Sequence, residues 1–147
     1  MISKMAMPEL LAIFDHAPVG IIFVREGLLQ HCNRRFCELS GYAEDEVFGQ
    51  RARVLYESEA EYERLRHWAR EALLAGDPFD AEIPMRRRDG SLIYCRLHAA
   101  AIDRDNPREG TVWIVEDLEE QTRIRDELWN AQRDLEATFA AANVGIA

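Results

Sequence analysis

The chain has few of the residues that build disulfide-linked, zinc-binding or membrane-spanning proteins. Its 147 residues include three cysteines, Cys32, Cys37 and Cys95, and no two of them have the C-x-x-C spacing. An odd number of cysteines without metal-ligand spacing indicates reduced, inert thiols in a cytoplasmic protein. The longest apolar run, over residues 19–24, is far shorter than the roughly 20 residues of a membrane span, so no span is expected.

Basic residues and catalytic motifs are also scarce. The 18 basic residues are outnumbered by 27 acidic ones, and the net charge of −9 argues against a general nucleic-acid or anionic-membrane surface. The basic cluster over residues 86–88 directly precedes Asp89-Gly90, so we interpret it as solvated turn residues rather than a nucleic-acid patch. The H-E-x-x-H, G-x-S-x-G and Gly-rich nucleotide-binding patterns are absent. We therefore expect a regulatory module and not an enzyme.

The first half of the chain alternates between helical and strand patterns. Pro8 suits the first turn of a helix, and Glu26-Gly27 suits the turn of a hairpin. Asn33 is a good N-cap, and Gly41 is placed to end the helix that follows it. The predicted elements are a helix over 8–16, strands over 20–24 and 28–32, a helix over 34–39 and a helical turn over 43–47.

The second half predicts one long helix and three strands. Ser58 can cap the helix, and Asp89-Gly90 can turn the chain between two strands. Pro84 lacks a backbone donor, so it should lie where the sheet needs no hydrogen bond from it. The predicted elements are a helix over 58–75 and strands over 79–87, 92–102 and 111–118. Together with the first half they predict an α+β domain on a five-stranded antiparallel sheet.

The C-terminal segment over residues 119–142 contains no helix breaker. Its heptad pattern places Gln121, Leu128, Leu135 and Ala142 at a positions, and Ile124, Ala131 and Thr138 at d positions. That pattern suits a short two-stranded coiled coil and hence a homodimer. The alternative is an amphipathic helix that folds back on its own domain.

A short motif recurs at the end of the chain. Phe, Ala, Val, Gly and Ile of residues 14–21 return in residues 139–146, at a constant offset of 125 residues. A repeat at this spacing indicates a piece of a tandem array. The expected organisation is a tail over 1–7, a domain over 8–118, a signalling helix over 119–138 and the truncated start of a second domain over 139–147.

The helical middle carries a recognisable signature. Its members follow the spacing N-x-x-F-x-x-L-x-G-Y-x-x-x-E-x-x-G, and they are Asn33, Phe36, Leu39, Gly41, Tyr42, Glu46 and Gly49. This pattern resembles that of PAS domains. Residues 86–91, followed by Tyr94, are similar to the basic-Asp-Gly hairpin of the family, and residues 116–118 resemble the end of its last strand. Glu119 stands where relatives usually have Thr, so any contact that the Thr makes is not expected here.

The resemblance implies a fold and a choice of cofactors. The PAS fold is a five-stranded antiparallel sheet with helices on one face, and here an N-terminal helix and a C-terminal signalling helix would flank it. PAS domains bind haem, flavin, small metabolites or nothing. Ala52 occupies the place of the reactive cysteine of related flavin photoreceptors, so a cysteinyl–flavin adduct is not expected. His67 is the candidate axial ligand for haem, but its helical neighbours are charged, and we favour a solvated histidine. The other histidines, His16, His31 and His98, have no zinc-ligand spacing with the cysteines.

A small ligand, if one binds, should lie between the sheet and the helices. The candidate wall residues are Ile21, Phe23, Phe36, Tyr56, Tyr62, Leu65, Leu97 and Trp113. The alternative is that these side chains simply fill the core.

These expectations describe a sensory domain of a multi-domain, bacterial-type signalling protein. Asp117 would pass the signal into the C-terminal helix, where Ile124, Leu128 and Leu135 would carry it. By resemblance, the downstream output domain would be a histidine kinase of a two-component system or an enzyme of cyclic dinucleotides such as a diguanylate cyclase. The alternative is a ligand-free module that dimerises through its first helix and outer sheet face. The identity of any ligand stays open.

Overall fold

The computed structural model describes residues 6–146, with their side chains except those of residues 121–122 and 139–146. Of these, residues 6–117 form one compact unit, and residues 118–146 form a second. The helices are α1 (Met7–His16), α2 (Arg34–Ser40), α3 (Glu44–Val47), α4 (Glu59–Leu74) and α5 (Leu118–Ile146). The strands are β1 (Gly20–Arg25), β2 (Leu28–Cys32), β3 (Phe79–Arg86), β4 (Leu92–Ala101) and β5 (Thr111–Asp117). Two 3₁₀ turns lie at Ala52–Leu55 and Pro107–Glu109.

The strands form one antiparallel sheet in the order β2-β1-β5-β4-β3. The predicted five-stranded antiparallel sheet is therefore confirmed. The first hairpin lies at one end of the sheet and the β3–β4 hairpin at the other, because β5 inserts between β1 and β4. Pro84 lies on β3, which is an edge strand, so its missing donor costs no pairing with a further strand.

The turns of the two hairpins follow from their sequences. Glu26 and Gly27 have φ angles of 53° and 77°, and two successive positive values match the twist of a tight hairpin. In the second turn, the backbone N–H and the hydroxyl of Ser91 both donate to Asp89 Oδ1, at 2.9 and 2.5 Å. These hydrogen bonds stabilise the carboxylate and lower the pKa of Asp89.

The helix ends are fixed by the predicted caps. Asn33 Oδ1 accepts from the N–H of Phe36 at 3.0 Å and starts α2. Gly41 has a φ of 79° and donates its N–H to the carbonyl of Cys37 at 2.9 Å, which ends that helix. Ser58 Oγ accepts from the N–H of Glu61 at 3.2 Å and starts α4.

The core lies between α2, α4 and the inner face of the sheet. On β1 this face is the one occupied by Gly20 and Ile22. A Cβ atom on Gly20 would lie 3.2 Å from Phe36 Cα, so the missing side chain lets α2 approach the strand closely. Phe36 and Leu65, from α2 and α4, are almost fully buried, as is Leu29 of β2.

Helix α5 begins at the residue that follows β5 and runs to Ile146, beyond the predicted end at residue 142. The second copy of the repeated motif is therefore helical throughout, up to Ile146. In the first copy, by contrast, helix α1 ends at His16. The first copy has Pro18 two residues after that end, whereas the second has Asn143, which keeps its backbone donor and does not stop a helix. The assignment of residues 139–147 to a second domain stays a prediction. Within the described residues, no helix combines the length and the apolar character needed to cross a membrane.

Candidate ligand cavity

A cavity of about 770 Å³ lies between the inner face of the sheet and the helices of the first unit. Its walls come from all five strands, from α2 and α4, and from both 3₁₀ turns. Most of the wall is apolar: Ile22 and Leu29 come from the first hairpin, and Ile83, Met85 and Leu97 come from the second. This volume is within the range of about 300–1,000 Å³ that is typical of small-molecule sites.

Two tyrosines supply hydroxyl groups to this wall. The rings of Tyr56 and Tyr62 meet edge to face, with centroids 5.2 Å apart. Burial, assisted by the neighbouring Tyr62, raises the pKa of Tyr56 well above its ordinary range, so its hydroxyl stays protonated and can donate. Neither hydroxyl has a hydrogen-bond partner among the described residues. Both are therefore available to a ligand.

Trp113, on another part of the cavity wall, belongs to an aromatic cluster. Trp113 of β5 donates its indole N–H to the hydroxyl of Thr111 at 2.9 Å. Its ring also meets that of Phe79 at 6.0 Å, and Phe79 meets Trp68 of α4 at 5.5 Å. The hydrogen bond and the ring contacts fix the orientation of Trp113, so this part of the cavity wall has its shape before a ligand binds.

Three arginines bring positive charge to the cavity in a chain that is acidic overall. Arg66 and Arg70 come from α4, and Arg108 comes from the turn before β5. Arg66 contacts Glu63 of its own helix at 3.5 Å. The side chains of Arg70 and Arg108 have no ion pair or hydrogen bond with any residue that the structure describes. Of the described residues, Glu26 is the one acidic side chain on the same wall, so a ligand with a negative group would meet more positive than negative charge here.

Five of the eight predicted wall residues lie on the cavity: Phe36, Tyr56, Tyr62, Leu97 and Trp113. The other three, Ile21, Phe23 and Leu65, do not, and whether any of the eight contacts a ligand stays a prediction. Ile21 and Phe23 alternate with Ile22 and so lie on the opposite face of β1, where the ring of Phe23 stacks on that of Phe14 at 6.0 Å. Leu65 is buried, but it packs in the core beside the cavity.

The sequence contained one signal for the correct face of β1. Gly20 begins the strand, and the absence of its side chain makes room for Phe36, so residues 20, 22 and 24 face the helices. Apolar character could not decide the face, because Ile21 and Phe23 are apolar as well and α1 covers part of them. Arg70 and Arg108 were not among the predicted wall residues, since exposed arginines on a helix and a loop carry no local signal that they line one cavity.

The residues considered for cofactors lie as follows. His67 is on the exposed side of α4, 3.3 Å from a carboxylate oxygen of Glu71, and is not on the cavity wall. Ala52 is on the wall, at the start of a 3₁₀ turn, whereas no cysteine of the described chain is. Across the described residues, no three side chains of His, Cys, Asp or Glu are grouped so that they could hold a metal ion.

The predicted relay residues lie on the last strand and the last helix. Asp117 is the final residue of β5 and is paired in register with Cys95 of β4. The cavity residues Trp113 and Val115 are on the same strand, four and two positions before it. On α5, Ile124, Leu128 and Leu135 are exposed apolar side chains. Whether these residues carry a signal stays a prediction.

Comparison with known proteins places these features in a family. The family profile described as PAS domain matches residues 18–120. The sensor protein TdiS of Thauera aromatica is 34% identical over 124 residues, which is 84% of this chain and 23% of that protein. The chain thus spans about a quarter of the length of this relative.

Solved structures agree with the family match. One is the PAS domain, in complex with ethanol, of a LuxR-family transcriptional regulator from Burkholderia thailandensis. Its TM-score is 0.69 and its sequence identity is 27%, and the match covers 78% of this chain and 99% of that one. Another is a domain of a sensory box sensor histidine kinase/response regulator from Geobacter sulfurreducens, with a TM-score of 0.61, 25% identity and coverage of 75% and 92%. The resemblance seen in the helical signature is confirmed, and the chain belongs to the PAS domain family.

Proposed function

We propose that this PAS domain senses a small molecule that binds in the cavity. The observation that supports this most directly is the cavity itself. A concave site of about 770 Å³ with a largely apolar wall and a few polar groups is typical of small-molecule binding sites. The Burkholderia relative, whose PAS domain was crystallised with ethanol, supports a small-molecule ligand as well.

The ligand has an apolar body and an anionic group. The apolar strands would bury the body, and the free hydroxyls of Tyr56 and Tyr62 would donate to a polar substituent. Arg70 and Arg108 would bind the anion, because neither has a partner within the described chain. Carboxylates of hydrocarbon chains or aromatic rings have this chemistry.

The signal passes along β5 into α5. A ligand that contacts Trp113 and Val115 would bias the position of β5, and the helix begins at the residue after its end. Exposed Leu128 and Leu135, at the a positions of the heptad, suit a dimer whose helix register differs between the free and bound states. The downstream output is a histidine kinase or an enzyme of cyclic dinucleotides. The sensor protein and the sensor histidine kinase among the relatives favour the kinase.

Native mass spectrometry of the purified chain, together with an absorption spectrum, tests the proposal. A co-purifying small molecule, or saturable binding of an added carboxylate, supports a sensor. A chain that stays empty with every carboxylate tried, while forming a tight dimer, contradicts it.

That second outcome would favour the other candidate function, a ligand-free dimerisation module. One observation supports this alternative: Met7, Leu11 and Ile13 of α1 are apolar and more than half exposed. A second copy of the domain could cover them. Replacing Leu11 and Ile13 with Ser would then dissociate the dimer, whereas a dimer held by α5 would keep its mass.

A further inference from the structure

Two cysteines on different elements lie side by side in the first unit. The sulfur atoms of Cys32, the last residue of β2, and Cys37, in α2, are 3.5 Å apart. Both thiols are free; Cys32 is buried and Cys37 is half-buried. A disulfide bond is about 2.0 Å long, so a small approach of the two side chains would join them. Neither cysteine lines the ligand cavity, so this pair is independent of the proposed ligand.

The reversal of the chain at Asn33 creates this contact. Strand β2 ends at Cys32, and α2 begins one residue after the Asn33 cap, so the first turn of the helix brings Cys37 back beside Cys32. The Asn33 side chain is fully buried and holds this junction with four hydrogen bonds. The two thiols therefore flank a rigid point of the fold.

We propose that Cys32 and Cys37 are a redox-sensitive pair that a hydroperoxide converts to an intramolecular disulfide. The Cys37 sulfur attacks a peroxide oxygen, the O–O bond breaks, and water or an alcohol leaves while a sulfenic acid remains on Cys37. The Cys32 thiol then attacks that sulfur, the S–O bond breaks, the S–S bond forms and water leaves. Two thiols are oxidised while one hydroperoxide is reduced.

The surroundings of the pair favour a small neutral oxidant. Acidic groups act on Cys37 from three helices: Asp15 from α1, Glu38 from α2 and Glu44 from α3. They would repel anionic disulfides such as oxidised glutathione, whereas hydrogen peroxide carries no charge. Burial is the largest cause that raises the pKa of both thiols, and the hydrogen bond between them raises the pKa of Cys32 further while it opposes the rise for Cys37. The thiolate is thus a minor form near neutral pH, and oxidation should accelerate as the pH rises.

Peptide mapping tests this directly, because two trypsin sites lie between the cysteines. Cleavage after Arg34 and Arg35 separates peptide 26–34, with Cys32, from peptide 36–51, with Cys37. The full chain is treated with hydrogen peroxide, alkylated in denaturant, digested and analysed by mass spectrometry. We expect the two peptides to appear linked, lighter by two hydrogen atoms than their sum, and to separate on reduction with a dithiol.

Cys95 is the internal control, since it lies alone on peptide 89–96 and should be alkylated before and after treatment. Cys37→Ser should abolish the linked species. If Cys32→Ser fails to fold because the site is buried, the wild-type map and Cys37→Ser still decide the matter. The rate should rise about tenfold from about pH 7 to about pH 8. Thiols that stay free at every pH, that oxidise separately to sulfinic acids or that link two chains would each overturn the proposal.

Discussion

Asn33 shows how much of the fold one side chain can hold. Its Oδ1 accepts from the N–H groups of Ile21 and Phe36 at 2.8 and 3.0 Å. Its Nδ2 donates to the carbonyls of Phe14 and Val19 at 2.8 and 3.0 Å. The sequence predicted only the capping bond to Phe36, because that bond is local. The other three depend on where α1 and β1 lie, which no short pattern contains.

Asn33→Asp tests this junction with almost no change in shape. The variant loses both N–H donors and places a carboxylate against the carbonyls of Phe14 and Val19. We expect a loss of about 3 kcal/mol in the free energy of unfolding, measured with urea, because one carboxylate oxygen then faces two buried carbonyl oxygens while the other keeps the N–H groups of Ile21 and Phe36. The two carbonyl oxygens favour the protonated form of the carboxyl, which can donate to one of them. The loss of unfolding free energy relative to the wild type should therefore be smaller near pH 4 than near pH 7.

The control for this variant is Asn106→Asp, in an exposed loop. Asn106 makes one long side-chain hydrogen bond, at 3.4 Å to Glu109. Its replacement should change the free energy of unfolding by no more than about 0.5 kcal/mol. Equal effects at the two sites would show that Asn33 does not have the role assigned to it.

Arg70 and Arg108 carry the prediction about ligand charge. Octanoate and 1-octanol share an apolar body, so the difference between their affinities reports the anionic group. We expect the chain to bind octanoate more tightly, and Arg70→Gln or Arg108→Gln to reduce that preference by about tenfold, which corresponds to one charge-assisted hydrogen bond. Isothermal titration calorimetry measures both affinities.

Arg64→Gln is the matched control, because Arg64 is on the same helix but pairs with Glu61 at 2.8 Å and is not on the cavity wall. It should leave the preference unchanged. If it weakens octanoate binding as much as Arg70→Gln does, the effect comes from the overall charge of the chain and not from a site.

At the scale of elements, the sequence predicted most boundaries to within one or two residues. This succeeded where a local cap or turn fixes the end, as with Ser58 for α4 and Gly41 for α2. It failed for the inward face of β1, because both faces of that strand are apolar and α1 lies against the outer one. It also failed for the C-terminal end of α5, where the repeat suggested an exit but Asn143 does not interrupt the backbone pattern.

The contact between the two cysteines was not predicted either, because it joins two different elements. Spacing alone indicated inert thiols, since the sequence has no C-x-x-C motif, and their reactivity stays a prediction. The contact between Cys32 and Cys37 arises only when a strand end and a helix turn meet across Asn33. Contacts between elements depend on the tertiary structure, whereas a helix cap can be predicted from about four consecutive residues of the sequence.

Helix α5 carries the prediction about assembly. If the heptad forms a coiled coil, replacing Leu128 and Leu135 with Glu should place charges in the seam and dissociate the dimer. We expect the mass measured by analytical ultracentrifugation to fall to that of the monomer. Trp129→Glu is the control: Trp129 is on the same helix and equally exposed, but it lies outside the a and d positions. A mass that stays dimeric in the double variant would contradict the coiled coil.

At the scale of the whole molecule, the fold and the family could be predicted, but the ligand could not. The PAS signature belongs to positions that cap and pack α2, so it identifies the sheet and its helices without naming what they enclose. The cavity is lined by residues from nine elements spread over most of the first unit. Its volume is set by how closely those elements approach one another, and the sequence of a single segment does not determine that distance.

A substitution that fills the cavity should abolish ligand binding while it leaves the stability of the fold nearly unchanged. Ala69 of α4 is buried and lies on the cavity wall, so Ala69→Phe would place a ring in the open volume. We expect the variant to fold with an unfolding free energy within about 1 kcal/mol of the wild type, because the added apolar contacts offset any local crowding. The rise in melting temperature that octanoate gives the wild type should disappear.

Ala72→Phe is the comparison, since Ala72 is three residues further along α4 and half-buried but is not on the wall. It should keep the response to octanoate. Retention of the response in Ala69→Phe would mean that octanoate binds elsewhere, and the cavity would then be a packing defect and not the sensor site. Loss in Ala69→Phe alone would tie the ligand to the space between α4 and the sheet, from which β5 leads directly to the residue where α5 begins.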